Sequence, residues 1–427
     1  MQKILILTSD FLPEPDANGI NVNIISQELM SRGHEVTCLS YKNNSLPDYE
    51  TINGIKIYRI TPSFFSQILN YEKSDDVSFF MMVVVKLAKI LRKVKLALLL
   101  FNFPDYDIIQ DYKLYWKVRK MMRNSKYDMI LGVYKPFTNI SALLKIKRNT
   151  PEIMCGAYYL DLVNSMQKPS IMPRKVYQWL CKKADYKVFN KLDFALVAKA
   201  GKTLYTDQIF NSIVSKINYV DFPTFQMNND IDMKSNYVKK NKDTIDLIYA
   251  GTLDRNYRNP EYLLSLLKKL TRFGIKINFN VYGRGNCDEI LCSYNDKDEL
   301  RVYNHGLVDL SIIREEMLNA DFVVNISNEI DSAVPSKIFE LFSTGKPIIN
   351  VAANKNDISN SYFEKYPSFF SIYNKESVEY QINDLYKFII SERGKIYSVD
   401  EIAKNYKENT PSYTVDIIEE KLNKQSN

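Results

Sequence analysis

Lys337 and Glu340 stand three residues apart in the run Val334-Pro335-Ser336-Lys337-Ile338-Phe339-Glu340-Leu341-Phe342-Ser343-Thr344-Gly345-Lys346-Pro347-Ile348-Ile349. Pro335 and Ser336 sit where a helix begins, and Gly345 followed by Pro347 stops it. Ile338, Leu341 and Phe342 recur at i, i+3, i+4, which predicts a buried face. Lys337, Glu340 and Thr344 then fall on another face. Free N–H groups at a helix start, a lysine in the first turn and a carboxylate one turn on suit a nucleotide diphosphate. The amides and Lys337 would hold phosphate oxygens, and Glu340 would accept both hydroxyls of a ribose. A capping box does not explain Glu340, because with Ser336 as the cap the third helical position is Phe339. A glutamate on a solvated helix face is the plainer alternative.

Such a helix needs buried strands beside it, and the chain supplies a series. Strand patterns fall at 3–8, 35–40, 55–60, 128–133, 152–158, 193–198 and 216–220, with helical patterns at 137–148, 173–191 and 201–211. A loop with Pro13, Pro15 and Gly19 separates the first strand from a helical stretch ending at Ser31-Arg32-Gly33. Strands alternating with helices predict α/β architecture with a parallel sheet wound on both faces. Periodicity fades after 220, and 223–243 reads as a linker. The alternation then restarts. A strand at 245–250 ends in Gly251, and Asn259-Pro260-Glu261 opens a helix. A strand at 275–282 ends in Gly283-Arg284-Gly285, and Asp321-Phe322-Val323-Val324-Asn325 is another. The expected division is a first domain over 1–222, the linker, a second domain over 244–410, and a C-terminal helix over 411–427 that packs back toward the first domain. Ligands of doubly wound sheets bind at the carboxyl ends of the strands. Gly19, Gly251, Gly283 and Gly285 lie where a backbone would approach one closely.

Composition narrows the function classes. At 427 residues the chain exceeds one ordinary core, and 45% hydrophobic with 25% charged residues is the composition of a globular protein. Five scattered cysteines fit reduced thiols in a cytoplasm, and with only His34 and His305 there is no basis for histidine-rich metal chemistry. Three Asp-X-Asp triplets, at 105–107, 230–232 and 296–298, sit in a basic loop, the linker and a polar turn, and read as coincidence rather than a metal site. No secretory signal is expected at the start. Residues 1–220 hold 31 Lys and Arg against 19 Asp and Glu, a net of +12, while the remainder holds 26 against 31, a net of −5. The basic half predicts an anionic partner. The apolar stretch 79–101 is broken by lysines and does not span a bilayer. Over 83–100, Lys86, Lys89, Arg92 and Lys93 flank a broad apolar surface, so this helix either docks on an anionic membrane or belongs to the core. A nucleic-acid role is not expected, because no recognition module accompanies the charge.

Taken together these residues resemble the GT-B glycosyltransferases of family 4, in particular bacterial enzymes that build capsule, O-antigen and exopolysaccharide units. Phe11-Leu12-Pro13 through Gly19, Leu29-Met30-Ser31-Arg32-Gly33-His34-Glu35-Val36-Thr37, Tyr249-Ala250-Gly251-Thr252-Leu253 with Asn259-Pro260-Glu261, and Pro335 to Glu340 with Thr344 to Ile349 carry the likeness in order. The resemblance implies a GT-B fold, two Rossmann-like domains facing each other across a cleft. It implies transfer of a sugar from a nucleotide-diphosphate sugar to a saccharide or lipid-linked acceptor, metal-independent, retaining and without a cofactor, beside the inner face of the cytoplasmic membrane. Glu340 matches the ribose-binding glutamate, Ser336 and Lys337 the phosphate side, and Arg255 and Arg258 the diphosphate-binding basic positions. Asp161 matches a loop that places a catalytic or orienting polar residue, and a plain turn start is its alternative. His34 matches a structural position, and His305 reads as a loop histidine. The pattern departs at Ser332, where a first glutamate is expected; Asp331 or Glu329 would be the substitutes. That departure keeps a second reading open, a non-catalytic GT-B homologue acting as a binding or scaffold subunit.

Overall fold

A computed structural model describes residues 1–42, 45–63, 103–104, 107–163, 172–225, 244–296, 298–327, 337–357, 359–374 and 376–426. The expected basic helix with Lys86, Lys89, Arg92 and Lys93 lies outside these residues, as does most of the linker. The chain forms two compact units, Met1–Pro223 with Pro411–Asn427, and Thr224–Thr410.

In the first unit, strands β1 (Lys3–Leu7), β2 (Glu35–Tyr41), β3 (Tyr49–Ile52), β4 (Ile55–Ile60), β5 (Met129–Tyr134), β6 (Met154–Tyr159), β7 (Phe194–Ala198) and β8 (Ile217–Val220) make one sheet in the order β3-β4-β2-β1-β5-β6-β7-β8. Every pairing is parallel except that of β3 with β4. Parallel strands covered on both faces need continuous apolar runs, and β1 supplies one, buried from Ile4 to Leu7. Its side chains alternate. Ile4 and Ile6 meet Val22, Ile25 and Leu29 of helix α1 (Ala17–Ser31) together with Val415, Ile418 and Leu422 of the C-terminal helix Pro411–Ser426. Leu5 and Leu7 face the opposite layer, made by α2 (Ile108–Asn124), α3 (Phe137–Asn149) and α4 (Arg174–Lys191) through Leu114, Val118, Leu143, Ile146, Val188 and Phe189. Arg32 fastens the C-terminal helix to the first, with Nη1 2.7 Å from Asp416 and 2.8 Å from Glu419, while His34 Nε2 lies 2.9 Å from Glu419.

Two expectations change here. Residues 201–211 are not α-helical but lie in tight 3₁₀ turns, Lys199–Tyr205 and Gln208–Lys216. Phe210 and Ile213 both reach the core at a spacing of three, which a 3₁₀ turn eclipses and an α-helix spreads. Gly19 belongs to the first turn of α1 rather than to the loop before it. Asp16 Oδ1 accepts from the Gly19 N–H at 2.7 Å, and a Cβ at Gly19 would sit 2.1 Å from the Asp10 carbonyl oxygen.

In the second unit, β9 (Thr244–Ala250), β10 (Lys276–Tyr282), β11 (Leu300–Gly306), β12 (Phe322–Ile326), β13 (Ile348–Ala352) and β14 (Phe369–Tyr373) form an all-parallel sheet ordered β11-β10-β9-β12-β13-β14. Helices α5 (Glu261–Leu270), α6 (Asp288–Tyr294), α7 (Leu310–Asn319), α8 (Ile338–Phe342), α9 (Asn360–Phe363), α10 (Val378–Glu392) and α11 (Val399–Asn405) accompany it. Asn259 Oδ1 accepts from the Glu261 N–H at 2.9 Å and so caps the start of α5. The unit begins at Thr224, earlier than the linker expectation, because Phe225 is fully buried and stacks on Tyr406 at 6.1 Å.

Asp185 of α4 is only 4% exposed and takes a 3.1 Å hydrogen bond from the Tyr205 hydroxyl. Burial pushes its carboxyl up to about 8, against the pull of Tyr205. The folded chain therefore holds a proton here that an unfolded chain, with an Asp near pH 3.9, releases. Stability falls as pH rises between these values, by about 1.4 kcal/mol per pH unit at most. Asp185→Asn keeps an acceptor for Tyr205, so it should raise the melting temperature at pH 7 to 8 and flatten the pH dependence of thermal unfolding from pH 4 to 8.

Candidate functional site

In both sheets the strand order reverses at one point. The chain proceeds from β9 through β10 to β11 and returns to the other side of β9 with β12. In the first unit β1 lies between β2 and β5. A crevice outside the strand ends opens where neighbouring connections leave in opposite directions.

At the end of β9, Gly251 N–H donates to the Tyr282 carbonyl at 2.8 Å, and Gly283 N–H donates to Gly306 at 2.7 Å. Gly283 has φ +143°, and a Cβ there would lie 2.1 Å from the Gly251 oxygen; one on Gly285 would lie 2.4 Å from the Leu253 oxygen. These glycines let two strand-end loops lie backbone against backbone. The close approach seen here is of the two loops to each other.

The next turn closes on itself, with Asp254 N–H donating to the Arg258 carbonyl at 3.2 Å and Arg258 N–H to that of Asp254 at 2.9 Å. Closure returns Arg258 to the strand end, where its charge acts on the Tyr249 hydroxyl. That hydroxyl in turn donates to the Thr252 carbonyl at 3.1 Å. Burial pushes the Tyr249 phenol up to about 12, and Arg258 works against the rise. The Arg258 Nε is buried and has no hydrogen-bond partner among the described residues. Arg255 goes elsewhere. Its backbone N–H and Nε bind Asn286 at 2.9 Å each, and its guanidinium pairs with Glu289 of α6 in the open. Of the two arginines proposed for the diphosphate, only Arg258 stands over the strand end.

Lys337 joins it from α8. Its Nζ donates to the Ala250 carbonyl at 3.0 Å, one residue after Tyr249. Withdrawal of the ammonium from water lowers its pKa; Glu340 opposes this and Arg258 reinforces it. The helix is shorter than the sequence pattern predicted. It runs only from Ile338 to Phe342, with Lys337 in the cap position. All its apolar residues are buried, Phe339 included, and Phe342 stacks on Tyr366 at 4.9 Å. Five residues give little macrodipole, so the side-chain cations carry the attraction for anions. Ser336, Ser332, Asp331 and Glu329 lie outside the described residues. Glu340 is half-buried, and among the described residues its carboxylate accepts no hydrogen bond. It borders a crevice of about 30 Å³ shared with Thr344 and with Arg314 and Met317 of α7.

In the first unit, Asp161 follows β6. Its Oδ2 accepts from Asn18 Nδ2 at 3.4 Å and lies 3.7 Å from Lys135 Nζ. Asn18 and Lys135 had not been singled out, because they become neighbours of Asp161 only when α1 and the ends of β5 and β6 meet at one edge. Gly19 lies in that same first turn of α1. His305 is a satisfied strand-end histidine, 2.9 Å from Asn280 Oδ1 and stacked 4.3 Å from Tyr282. Among the described residues no acidic, histidine and cysteine cluster could hold a metal ion. Of the Asp-X-Asp triplets, Asp107 caps α2 and Asp296 pairs with Lys268.

No protein-family profile matches the chain, and no curated protein matches it. Solved structures do. The chain is similar to the lipopolysaccharide outer core galactosyltransferase WaaB in its apo form, at 11% identity and TM-score 0.57 over 99% of each chain. It is similar to a UDP-forming α,α-trehalose-phosphate synthase from Burkholderia xenovorans in complex with glucose-6-phosphate, at 8% identity and TM-score 0.61 over 99% of this chain and 100% of that one. The catalytic domain of starch synthase IV from Arabidopsis thaliana, bound to ADP and acarbose, aligns at 9% identity and TM-score 0.55 over 99% of each chain. At such identities the likeness shows the fold, which is GT-B, built from two parallel-sheet α/β domains.

Two substitutions separate the loop framework from the exposed charge. Gly283→Ala places a methyl against a backbone oxygen at positive φ and should lower unfolding free energy by at least about 2 kcal/mol. Arg255→Ala removes an exposed ion pair and should leave the urea midpoint nearly unchanged. Urea unfolding of the two variants measures both.

Proposed function

We propose that this chain is a glycosyltransferase that moves a sugar from a nucleotide-diphosphate sugar to a hydroxyl of a saccharide acceptor. The observation that carries the reading is Lys337 held on the Ala250 carbonyl at the end of β9, with Arg258 and Glu340 near enough for their charges to act on it. Two cations held together repel, and an anion with several oxygens relieves that repulsion. Breaking the bond from the anomeric carbon builds charge on the departing diphosphate, and two preorganised cations stabilise it where it forms. Glu340, without a protein hydrogen-bond partner among the described residues, is assigned to the ribose hydroxyls. Asp161, with Asn18 and Lys135 beside it, is assigned to orienting an acceptor hydroxyl. The similar solved proteins support the diphosphate, since one is UDP-forming and another is bound to ADP. Retention at the anomeric carbon, a lipid-linked acceptor and a place in bacterial surface polysaccharide synthesis belong to this proposal through the family resemblance.

A panel of nucleotide sugars, assayed for release of nucleoside diphosphate in the presence of a lipid-linked oligosaccharide, tests the reaction. Ser332, standing where the resemblance expects a glutamate, favours one alternative, a nucleotide-binding subunit without turnover. Binding without release of diphosphate across the panel would establish it.

Charge-assisted hydrogen bonds are worth about 1.5–3 kcal/mol each. Glu340→Ala and Arg258→Ala should therefore each weaken nucleotide diphosphate binding at least about tenfold, with Arg255→Ala changing it less than about twofold. Calorimetry on folded variants reads this, and unchanged affinity in Arg258→Ala would remove Arg258 from the site.

With diphosphate charge met by side chains, turnover should persist in excess chelator. Complete loss that manganese or magnesium restores would instead require a metal in the reaction.

A further inference from the structure

A parallel sheet is ordinarily covered by helices on both faces, and its strands are apolar on both. The β9, β10 and β11 side of the second sheet departs from this. On one face Ile245, Leu247, Ile277, Phe279, Leu300 and Val302 lie in the core. The residues between them make the other face. Register places Asp246, Asn278 and Arg301 in one row across the three strands, and Ile248, Asn280 and Tyr303 in the next. Asn278 Nδ2 donates to Asp246 Oδ1 at 2.8 Å and ties the first row together. Both rows are polar where a doubly covered sheet would be apolar.

Helix α7 walls one side of this face, where Glu316 and Asn319 meet the rows, and a hollow of about 460 Å³ remains over the strands. Tyr303 is 42% exposed at its edge, with the His305 ring stacked 6.1 Å away. Asn278, which lines the hollow, has a buried Oδ1 without a hydrogen-bond partner among the described residues. A buried oxygen left unpaired costs stability that a ligand donor would restore. The hollow also stands away from the Lys337 end of the sheet. Asp246 precedes Ala250 by four residues, about 13 Å along an extended strand.

We propose that this hollow is a second saccharide site, which holds a neutral sugar chain apart from the strand end where Lys337 stands. A sugar hydroxyl donates and accepts at once, and so does the lining. Each asparagine amide does both, Asp246 and Glu316 accept, and Arg301 donates. Two carboxylates against one guanidinium leave the lining net negative, which opposes a phosphate or a uronate. The exposed Tyr303 ring offers a flat apolar surface with a polar tip, suited to the C–H face of a pyranose. A few placed polar groups beside such a surface fix a ligand's orientation. A sugar held here is remote from the Lys337 and Arg258 charges, so the site retains a chain without acting on its bonds. The inference does not rest on the transfer reading, because binding is measured without any nucleotide.

The test presents the full chain, without nucleotide, to immobilised neutral oligosaccharides of glucose, galactose, mannose and N-acetylglucosamine. Phosphorylated and uronate-bearing glycans stand beside them. Retention on at least one neutral class is expected, and calorimetry with that oligosaccharide in solution gives its affinity. Asn280→Ala and Tyr303→Ala should each weaken it about tenfold or more, with circular dichroism and nucleotide diphosphate affinity unchanged. Asn280 Oδ1 lies 2.9 Å from His305 Nε2, whereas Tyr303 is exposed, so the second variant reads the site even where the first disturbs the strand. Retention of no neutral glycan overturns the proposal, as does retention of charged glycans alone. So does undiminished affinity in both variants. Loss of binding in Asp161→Ala but not in Tyr303→Ala would move the sugar to the first unit and overturn it too. Self-association in sedimentation velocity that Tyr303→Ala abolishes would assign the face to a second copy of the chain instead.

Discussion

Parallel pairing of strands is the constraint from which the rest follows. A parallel neighbour is reached only through a crossover, so every strand of the β9 sheet ends on the same edge, and so do β1, β5, β6 and β7 in the other sheet. Loops that leave strands far apart in sequence are thereby crowded together. Gly251, Gly283 and Gly306 meet through backbone hydrogen bonds although they come from three different strand ends. Any side chain rooted in those loops must share one small volume with the others, which is why chemistry concentrates there rather than on the broad faces of the sheets.

Lys337 shows how that crowding is used. Its ammonium gives up part of its hydration to bond the Ala250 carbonyl, with the charge of Arg258 close by. Neither cation is neutralised by a direct ion pair with a described residue, and among the described residues the field of Glu340 opposes the lowering of the Lys337 pKa. A protein tolerates such an arrangement when it is maintained by rigid surroundings, and here α8 is buried among Phe363, Tyr366 and Tyr406. The aromatic packing under the helix and the charges above it are two sides of one element only five residues long.

The two faces of the first sheet have been given different tasks by their helices. On one side the C-terminal helix is clipped to α1 by Arg32, Asp416 and Glu419, where opposite charges meet within the protein. On the other side α2, α3 and α4 turn their apolar stripes inward and leave a surplus of cations outside. That asymmetry gives a local cause for the +12 of residues 1–220. Much of the charge lies on one layer of helices instead of being spread evenly around the unit.

The alternation of strands and helices was legible because strands buried on both faces must be almost wholly apolar, as Ile4 to Leu7 and Phe322 to Val324 are. The C-terminal helix was legible in the spacing of Val415, Ile418 and Leu422, and the nearness of Lys337 and Glu340 was legible in a spacing of three. Other features depended on residues distant in the chain. Arg255 and Arg258 are both candidates in sequence, with Arg258 nearer the family's usual lysine position, and only the fold shows Asn286, 31 residues from Arg255, holding Arg255. The 3₁₀ turns after β7 follow from which side chains the core accepts, and the interlocked glycines from two loops arriving at the same place. Local periodicity determined the elements and their order, because burial acts on residues a few positions apart. The tertiary structure alone decided which side chains stand over the strand ends and which face the outside, because those choices are made by contacts that do not exist until the sheets have formed.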